Sequence, residues 1–344
     1  MKIGIVFGGQ SYEHEISIVS AIAMKDVLKE ELVYIFCDQN RDFYHIPTNI
    51  IKSKLFSSSD YKKCDILALK KGSFFKKAMF GDKNLDLDVV LNITHGQDGE
   101  DGLLASLFEF YNLPYIGPRK AASSIAFNKF LTKGYASSTG VKTIQYKYYT
   151  KNDEINVQQF PVIIKPVTLG SSIGVSIVKS KDELEYSLDV AFEFDDAIII
   201  EPFISGIKEY NLAGCKINGK FEFSIIEEPQ KAEFLDFDKK YLDFARTSTA
   251  LKADLSKEMQ EKVKDTFMKI YNNTFEGSLI RCDLFIQDDE VYLNEINPIP
   301  GSMANYLFDD FNSILTSLAN SLPKTKDINI TYEYVNKIQA SKGK

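Results

Sequence analysis

An apolar, β-branched run at 2–7 (KIGIVF) stops at Gly8-Gly9, and apolar residues then recur at helical spacing between 16 and 28. Strand, glycine turn and helix in that order open a βαβ unit. Similar strand-like runs at 32–36 (LVYIF), 65–69 (DILAL) and 89–93 (VVLNI), the last followed by a helical pattern at 103–110, predict a parallel α/β sheet. Residues 38–63 read as polar and irregular, and 70–77 as a hairpin or a loop.

Two prolines and a glycine in LPYIGP (113–118) break helix and mark a boundary beyond which the pattern changes. Helical periodicity at 119–139 is followed by short strands in FPVIIKP, SIGVSIV and AIIIEPF, one helix at 182–193 and a hairpin turning at Asn218-Gly219. A helix at 256–272, strands at 279–286 and 290–296, a helix at 303–321 and a loose tail complete the chain. We expect three domains: an α/β domain at 1–117 and α+β domains at 118–200 and 201–344, in line with roughly 150 residues per domain.

The 344 residues include 41 Lys and Arg against 48 Asp and Glu, a net charge of −7. With no block of five or more cations, the chain lacks the footprint of a general nucleic-acid binder and points to a small partner. No apolar stretch nears the ~20 residues that span a bilayer. The start shows no signal-peptide pattern, and Cys37, Cys64, Cys215 and Cys282 contain no C-x-x-C pair, so we expect reduced thiols, a cytoplasmic location and no membrane insertion.

Candidate chemistry begins at GGQSYEHEIS (8–17), where a helix N-terminus presents backbone N–H groups to an anion. Glu13 and Glu15 read as first-turn acids unless a site draws Glu13 inward. The spacing is not G-x-G-x-x-G, which counts against a dinucleotide-dependent oxidoreductase. HGQDGEDG (95–102) follows a strand, where a doubly wound sheet keeps its ligand crevice; His95 is placed to orient a substrate, and Glu100 and Asp101 to cap the next helix. Lys165 in an apolar strand either meets an anion or snorkels to solvent, and the glycine-bearing loop 168–172 can fold over phosphates as a flap. Glu201 either accepts from the exocyclic amine of a purine or is a solvated strand end.

The most informative pair is RCDLFI (281–286) and YLNEINPIPG (292–301), two strands joined by a tight acidic turn. Residues two apart share a face, so Arg281 and Asp283 point one way, and Glu295 and Asn297 can join them from the neighbouring strand. Carboxylates with an amide carbonyl are hard-oxygen ligands suited to Mg²⁺ beside a phosphate.

Taken in order, these segments resemble the ATP-grasp superfamily and, more closely, the D-alanine:D-alanine ligase family of bacterial peptidoglycan synthesis, over residues 2–320. GGQSYEHEIS and HGQDGEDGLLAS are similar to that family's amino-terminal signatures, and RCDLF with NEINPIPG to its carboxy-terminal one. The resemblance implies an ATP-grasp fold whose two α+β domains clamp ATP, a homodimer, and ligation of two D-alanines through a D-alanyl phosphate. It assigns Lys129, Lys165 and Ser172 to the phosphates, Glu201 with the backbone of Phe203 and Ile204 to adenine, and Glu209 to the ribose. Asp283, Glu295 and Asn297 would hold two Mg²⁺ (or Mn²⁺) ions. Glu13, Ser171 and Tyr241 would form a triad near the first D-alanine and the nucleophile, with His95 beside the substrate. Arg281 and the Gly301 N–H would stabilise the tetrahedral oxyanion, and Lys240, Tyr306 and Leu307 would meet the second D-alanine.

The chain departs from that pattern at Tyr306, where the family carries a hydroxyl residue before the leucine, and in LDFARTSTALKA after Tyr241, which lacks the usual Pro-Ala ending. Both departures leave open a different carboxylate-amine ligase of the same superfamily.

Overall fold

The strand, turn and helix at the amino terminus become β1 (Lys2–Gly8) and α1 (His14–Val27) in the computed structural model, which describes residues 1–79, 81–229, 250–324 and 328–342. β1 pairs in parallel with β2 (Glu31–Cys37) and with β7 (Val89–Asn92), and β7 with β8 (Tyr115–Ile116). Strand alternation divides the side chains of β1 between two cores. Ile3, Ile5 and Phe7 pack with Ile18, Ala21 and Met24 of α1, whereas Val6 packs with Leu104, Ala105 and Phe108 of α3 (Leu103–Phe110).

The segment read as irregular contributes one strand to this sheet, the run at 65–69 is a strand but antiparallel rather than parallel, and 70–77 is the turn and second strand of a hairpin. β3 (Phe43–Ile46), β4 (Asp65–Lys70), β5 (Ser73–Lys76) and β6 (Lys83–Asn84) add antiparallel strands, giving the order β6-β5-β4-β3-β2-β1-β7-β8. Between them lie α2 (Ser53–Ser57) and a 3-10 turn (Asp60–Lys63). Ile46, Ile51 and Leu55 anchor the stretch in the core together with aromatic rings: Phe56 and Tyr61 pack against Phe36 with ring centroids 4.7 and 4.8 Å apart.

The second sheet is antiparallel, in the order β10 (Lys147–Thr150), β13 (Ala197–Pro202), β11 (Val162–Pro166) and β12 (Ser176–Val178), with α6 (Leu184–Phe194) on one face. The third runs β15 (Lys220–Glu227), β14 (Lys208–Ile217), β16 (Ile280–Gln287), β17 (Glu290–Asn297) and β9 (Lys142–Thr143). Helices α4 (Lys120–Phe127) and α5 (Lys129–Ser138) share this third core with α7 (Lys257–Tyr271): Ala122, Ala126 and Ala136 join Val263, Phe267 and Leu284. The helical stretch after residue 118 therefore packs with the third sheet, and the second sheet begins at β10.

Two terminal expectations are corrected. The helix expected over 303–321 begins at α8 (Phe311–Ala319), where the Asp310 carboxylate accepts the Ser313 N–H at 3.1 Å as a cap. Residues 301–307 instead form a tight 3-10 turn in which Ser302, Met303 and Ala304 have positive φ of 47–55°. The expected loose tail is helical, α9 (Glu333–Lys342), and buries none of its described side chains. Among the described residues no helix is long and apolar enough to cross a membrane.

Candidate functional site

The facing strands β16 and β17 set the centre of the site. Their register puts Asp283 opposite Glu295 and Arg281 opposite Asn297, and the intervening Cys282, Leu284 and Ile296 point into the core. Arg281 donates from Nε and Nη2 to the two oxygens of Asp283 at 2.7 and 2.8 Å, and Asn297 Nδ2 donates to Oδ2 at 3.0 Å. Burial raises the Asp283 carboxyl above its ordinary range and Glu295 adds to the push, while Arg281 opposes both. Burial would lower the Arg281 guanidinium, but Asp283 overrides it and holds it well above its usual value.

Two neighbouring carboxylates that repel, with an amide beside them, are a hard-oxygen set that a divalent cation would relieve. Among the described residues no three His, Cys, Asp or Glu gather around one point to hold a metal. Two carboxylates and one amide supply only part of an octahedral shell, so the set fits an ion that keeps water or substrate oxygens, as Mg²⁺ does.

The β1–α1 turn delivers Glu13. Gly8 has φ +103°, and a Cβ there would lie 2.1 Å from the Cys37 carbonyl oxygen, so the chain can turn at that point only with glycine. Glu13 is 6% exposed, which decides between the two readings of this acid; Glu15 remains on the surface. Glu13 Oε1 accepts the Ser171 hydroxyl at 2.5 Å across the domains, and Oε2 is buried with no hydrogen-bond partner among the described residues. Burial and then Glu100 push the Glu13 carboxyl up to about 7, against the pull of Ser171, His95 and Lys129.

His95 Nε2 lies 3.0 Å from Ser20 Oγ, and Nδ1 lies 3.5 Å from Glu100. Burial drives His95 down to about 4, so the ring is neutral at neutral pH, and burial drives Glu100 up to about 8. Of the two acids expected to cap α3, only Asp101 does so, accepting the Leu103 N–H at 2.9 Å; Glu100 turns inward instead, toward His95 and Arg281. Asp98, 2% exposed, ties the two glycine turns together by accepting the Gln10 N–H at 2.7 Å, and is itself paired with Arg41.

The other wall is cationic. Lys165 meets Glu201 Oε2 at 2.7 Å, so it is paired with an anion rather than snorkelling, and Glu201 is a buried acid rather than a solvated strand end. Lys133 meets the second oxygen of Glu201 at 2.5 Å. Burial would raise Glu201, but the two ammonium groups hold it below its ordinary value. Lys129 donates to the Leu169 carbonyl at 2.5 Å, and burial lowers it to about 8. The loop 168–172 is pinned by Asp195, whose Oδ2 accepts both the N–H and the hydroxyl of Thr168 at 2.7 Å, while Leu169, Ser171 and Ser172 take positive φ.

Phe203 and Ile204 follow β13 and are partly exposed; Phe203 N–H donates to the Pro161 carbonyl at 3.0 Å. Glu209 stands on β14 opposite Phe285. Gly301 opens the tight turn, and Ser302 N–H reaches Ser20 Oγ at 3.4 Å, linking the turn to His95 through that hydroxyl. Tyr306 is half-buried within electrostatic reach of Arg281, whereas the Leu307 side chain is 2% exposed in the core, so only its backbone can face a ligand. Lys240 and Tyr241 lie outside the described residues. Reading the sequence overlooked Lys133, Asp195 and Asn294, which accepts from Lys165 at 3.4 Å. Only Lys133 had a signal: it follows Lys129 by four residues in a helical pattern, which aligns the two ammonium groups on one face.

The chain matches two family descriptions in tandem, "D-ala D-ala ligase N-terminus" over residues 2–118 and "D-ala D-ala ligase C-terminus" over 135–311. It is 59% identical to the D-alanine--D-alanine ligase of Wolinella succinogenes and 58% identical to that of a Sulfurovum species, each alignment covering 100% of both chains. The crystal structure of D-alanine-D-alanine ligase from Helicobacter pylori, 49% identical, superposes with a TM-score of 0.85 over 95% of this chain and 100% of that one.

Proposed function

The chain belongs to the D-alanine–D-alanine ligase family, and from that premise we propose that it joins two D-alanines at the expense of ATP, using the residues gathered between its three sheets. The hydrogen bond from Ser171 to Glu13 carries this reading, because it closes the phosphate-covering loop onto the turn that receives an amino acid. One enclosure then holds both the phosphates and the carboxylate they activate.

In this reading Lys129, Lys165 and Ser172 receive the phosphates, Glu201, Phe203 and Ile204 the adenine, and Glu209 the ribose. Asp283, Glu295 and Asn297 would hold Mg²⁺ or Mn²⁺, two ions in the full complement, which supply charge neutralisation for phosphoryl transfer. The ammonium of the first D-alanine lies against Glu13, with the neutral ring of His95 beside it. Its carboxylate attacks the γ-phosphorus, ADP leaves, and a D-alanyl phosphate remains. The loop 168–172 excludes water from that mixed anhydride. The amine of the second D-alanine, its carboxylate held by Lys240 and by the Tyr306–Leu307 turn, then adds to the carbonyl carbon, and phosphate leaves. Arg281 and the Gly301 N–H face the tetrahedral oxyanion. Ser171 links Glu13 to Tyr241 near the incoming amine.

We place the domains at 1–117, 118–200 and 201–344, with the helices after 118 leaning on the third. The same reading makes the protein a cytoplasmic homodimer supplying peptidoglycan synthesis. Purified protein with ATP, Mg²⁺ and D-alanine should release one phosphate per D-alanyl-D-alanine formed; phosphate without dipeptide, or release independent of D-alanine, would overturn the assignment. A panel of alternative second substrates tests the departure at Tyr306, and light scattering reads the oligomeric state.

A further inference from the structure

Lys133 sits one helical turn after Lys129 on α5, is 4% exposed, and spends its ammonium on three fixed neighbours. It meets Glu201 Oε1 at 2.5 Å, donates to the Ile144 carbonyl at 3.2 Å and lies 5.2 Å from the centre of the Tyr146 ring. Lys165, on the other oxygen of Glu201, is less committed: it is more exposed and also reaches Asn294 at 3.4 Å. A nucleotide's phosphates compete for Lys165, and once it moves to them Glu201 retains only Lys133. A buried carboxylate with no cation protonates. A protonated acid can donate as well as accept, so it no longer separates an amino group from an oxo group at purine position 6.

We propose that Lys133 is a positioning residue for the nucleotide base: it keeps Glu201 a fixed, acceptor-only carboxylate and so selects a purine bearing an amino group at position 6. The inference rests on the assignment of Glu201 to the adenine amine. The opposing shifts agree with it, since Glu201 is held below its ordinary value by its two ammonium partners despite burial. Lys133 differs from the phosphate-facing lysines in reaching the ligand only through another side chain.

The test compares ATP with ITP, which carries an oxo group in place of the amine, in the phosphate-release assay with D-alanine. Lys133→Met should lower the ATP-to-ITP ratio of kcat/KM by about tenfold or more, the order of one charge-assisted hydrogen bond. The change should lie in KM for ATP, with kcat at saturation little altered, and Lys133→Arg should restore the ratio. Lys133→Gln, which keeps a donor but no charge, serves if the methionine variant does not fold. Glu201→Gln should relax selectivity by itself, and adding Lys133→Met to it should change the ratio no further. An unchanged ratio in both Lys133→Met and Lys133→Gln, with Glu201→Gln relaxed, overturns the role of Lys133 alone. An unchanged ratio in Glu201→Gln overturns the adenine assignment and this inference with it.

Discussion

The two walls of the site are buried alike but carry opposite imbalances of charge. Around Glu201 two ammonium groups share one carboxylate, which is held ionised below its ordinary range. Around β16, β17 and the two glycine turns, Glu13, Glu100, Asp283 and Glu295 outnumber Arg281, and burial with mutual repulsion raises Glu13, Glu100 and Asp283. Burial always favours the neutral form; the ratio of partners decides whether it succeeds. In the proposed function the cation-rich wall receives a polyanion, and the acid-rich wall receives cations, an ammonium group and a divalent metal.

Removing an acid from the acid-rich wall is the strongest test of that contrast. Glu295→Gln should lower phosphate release on the order of 100-fold or more, as expected when a site that neutralises a transferring phosphoryl group is weakened. The same substitution removes the push on Asp283, so melting of the ligand-free protein should not shift downward. Near-wild-type rates would remove the metal assignment, and a large loss of melting temperature would show that the acids stabilise rather than strain the fold.

A smaller effect follows from pH. Glu13 at about 7 and Glu100 at about 8 bind protons more tightly in the folded than in the unfolded chain, where a glutamate has its ordinary value of 4.5. Folded protein then holds more protons between about pH 4.5 and 8, and stability contributed by these groups is present at low pH and declines as pH rises through that window. Glu201 has the opposite sign: its contribution is present above its unfolded value and is lost as pH falls through the depressed folded one. Thermal melts of the ligand-free protein from pH 5 to 8 should therefore slope downward on the alkaline side, and a Glu13→Gln, Glu100→Gln double variant should flatten the slope. An unchanged slope in that variant would locate the pH dependence elsewhere.

The smallest expected effect lies between the walls. Thr168→Ala deletes one of the two hydrogen bonds that pin the covering loop to Asp195. At about 1 kcal/mol for such a bond, KM for ATP should rise a few-fold with little change in kcat. A large fall in kcat would mean that the loop's anchor, and not only its closure, controls chemistry.

Much of this organisation is legible residue by residue. Glycines at 8 and 9, strand alternation in 281–286 and the Asn218-Gly219 hairpin are local signals, and each forms the element its pattern implies, whereas a register shift at Asn294 breaks the alternation of 292–297. The stretch at 38–63 reads as irregular because its elements are short, one four-residue strand (FYHI), one helix and one 3-10 turn, and are anchored in part by aromatic rings whose partners Phe7 and Phe36 lie elsewhere in the chain. Within the site, Lys133 was overlooked because its importance depends on Glu201, 68 residues away in sequence and 2.5 Å away in space.

The sequence alone determined which chemical groups the protein owns and which neighbours two apart on a strand share a face, because those follow from residue type and backbone period. Tertiary structure decided their protonation. Whether Glu13 is a solvated first-turn acid or a buried carboxyl near neutrality, whether Lys165 reaches solvent or an anion, and whether Glu100 caps a helix or turns toward His95 all depend on burial and on partners brought from distant segments. Desolvation and Coulomb interaction act through space, and a linear pattern does not record the distances that set them.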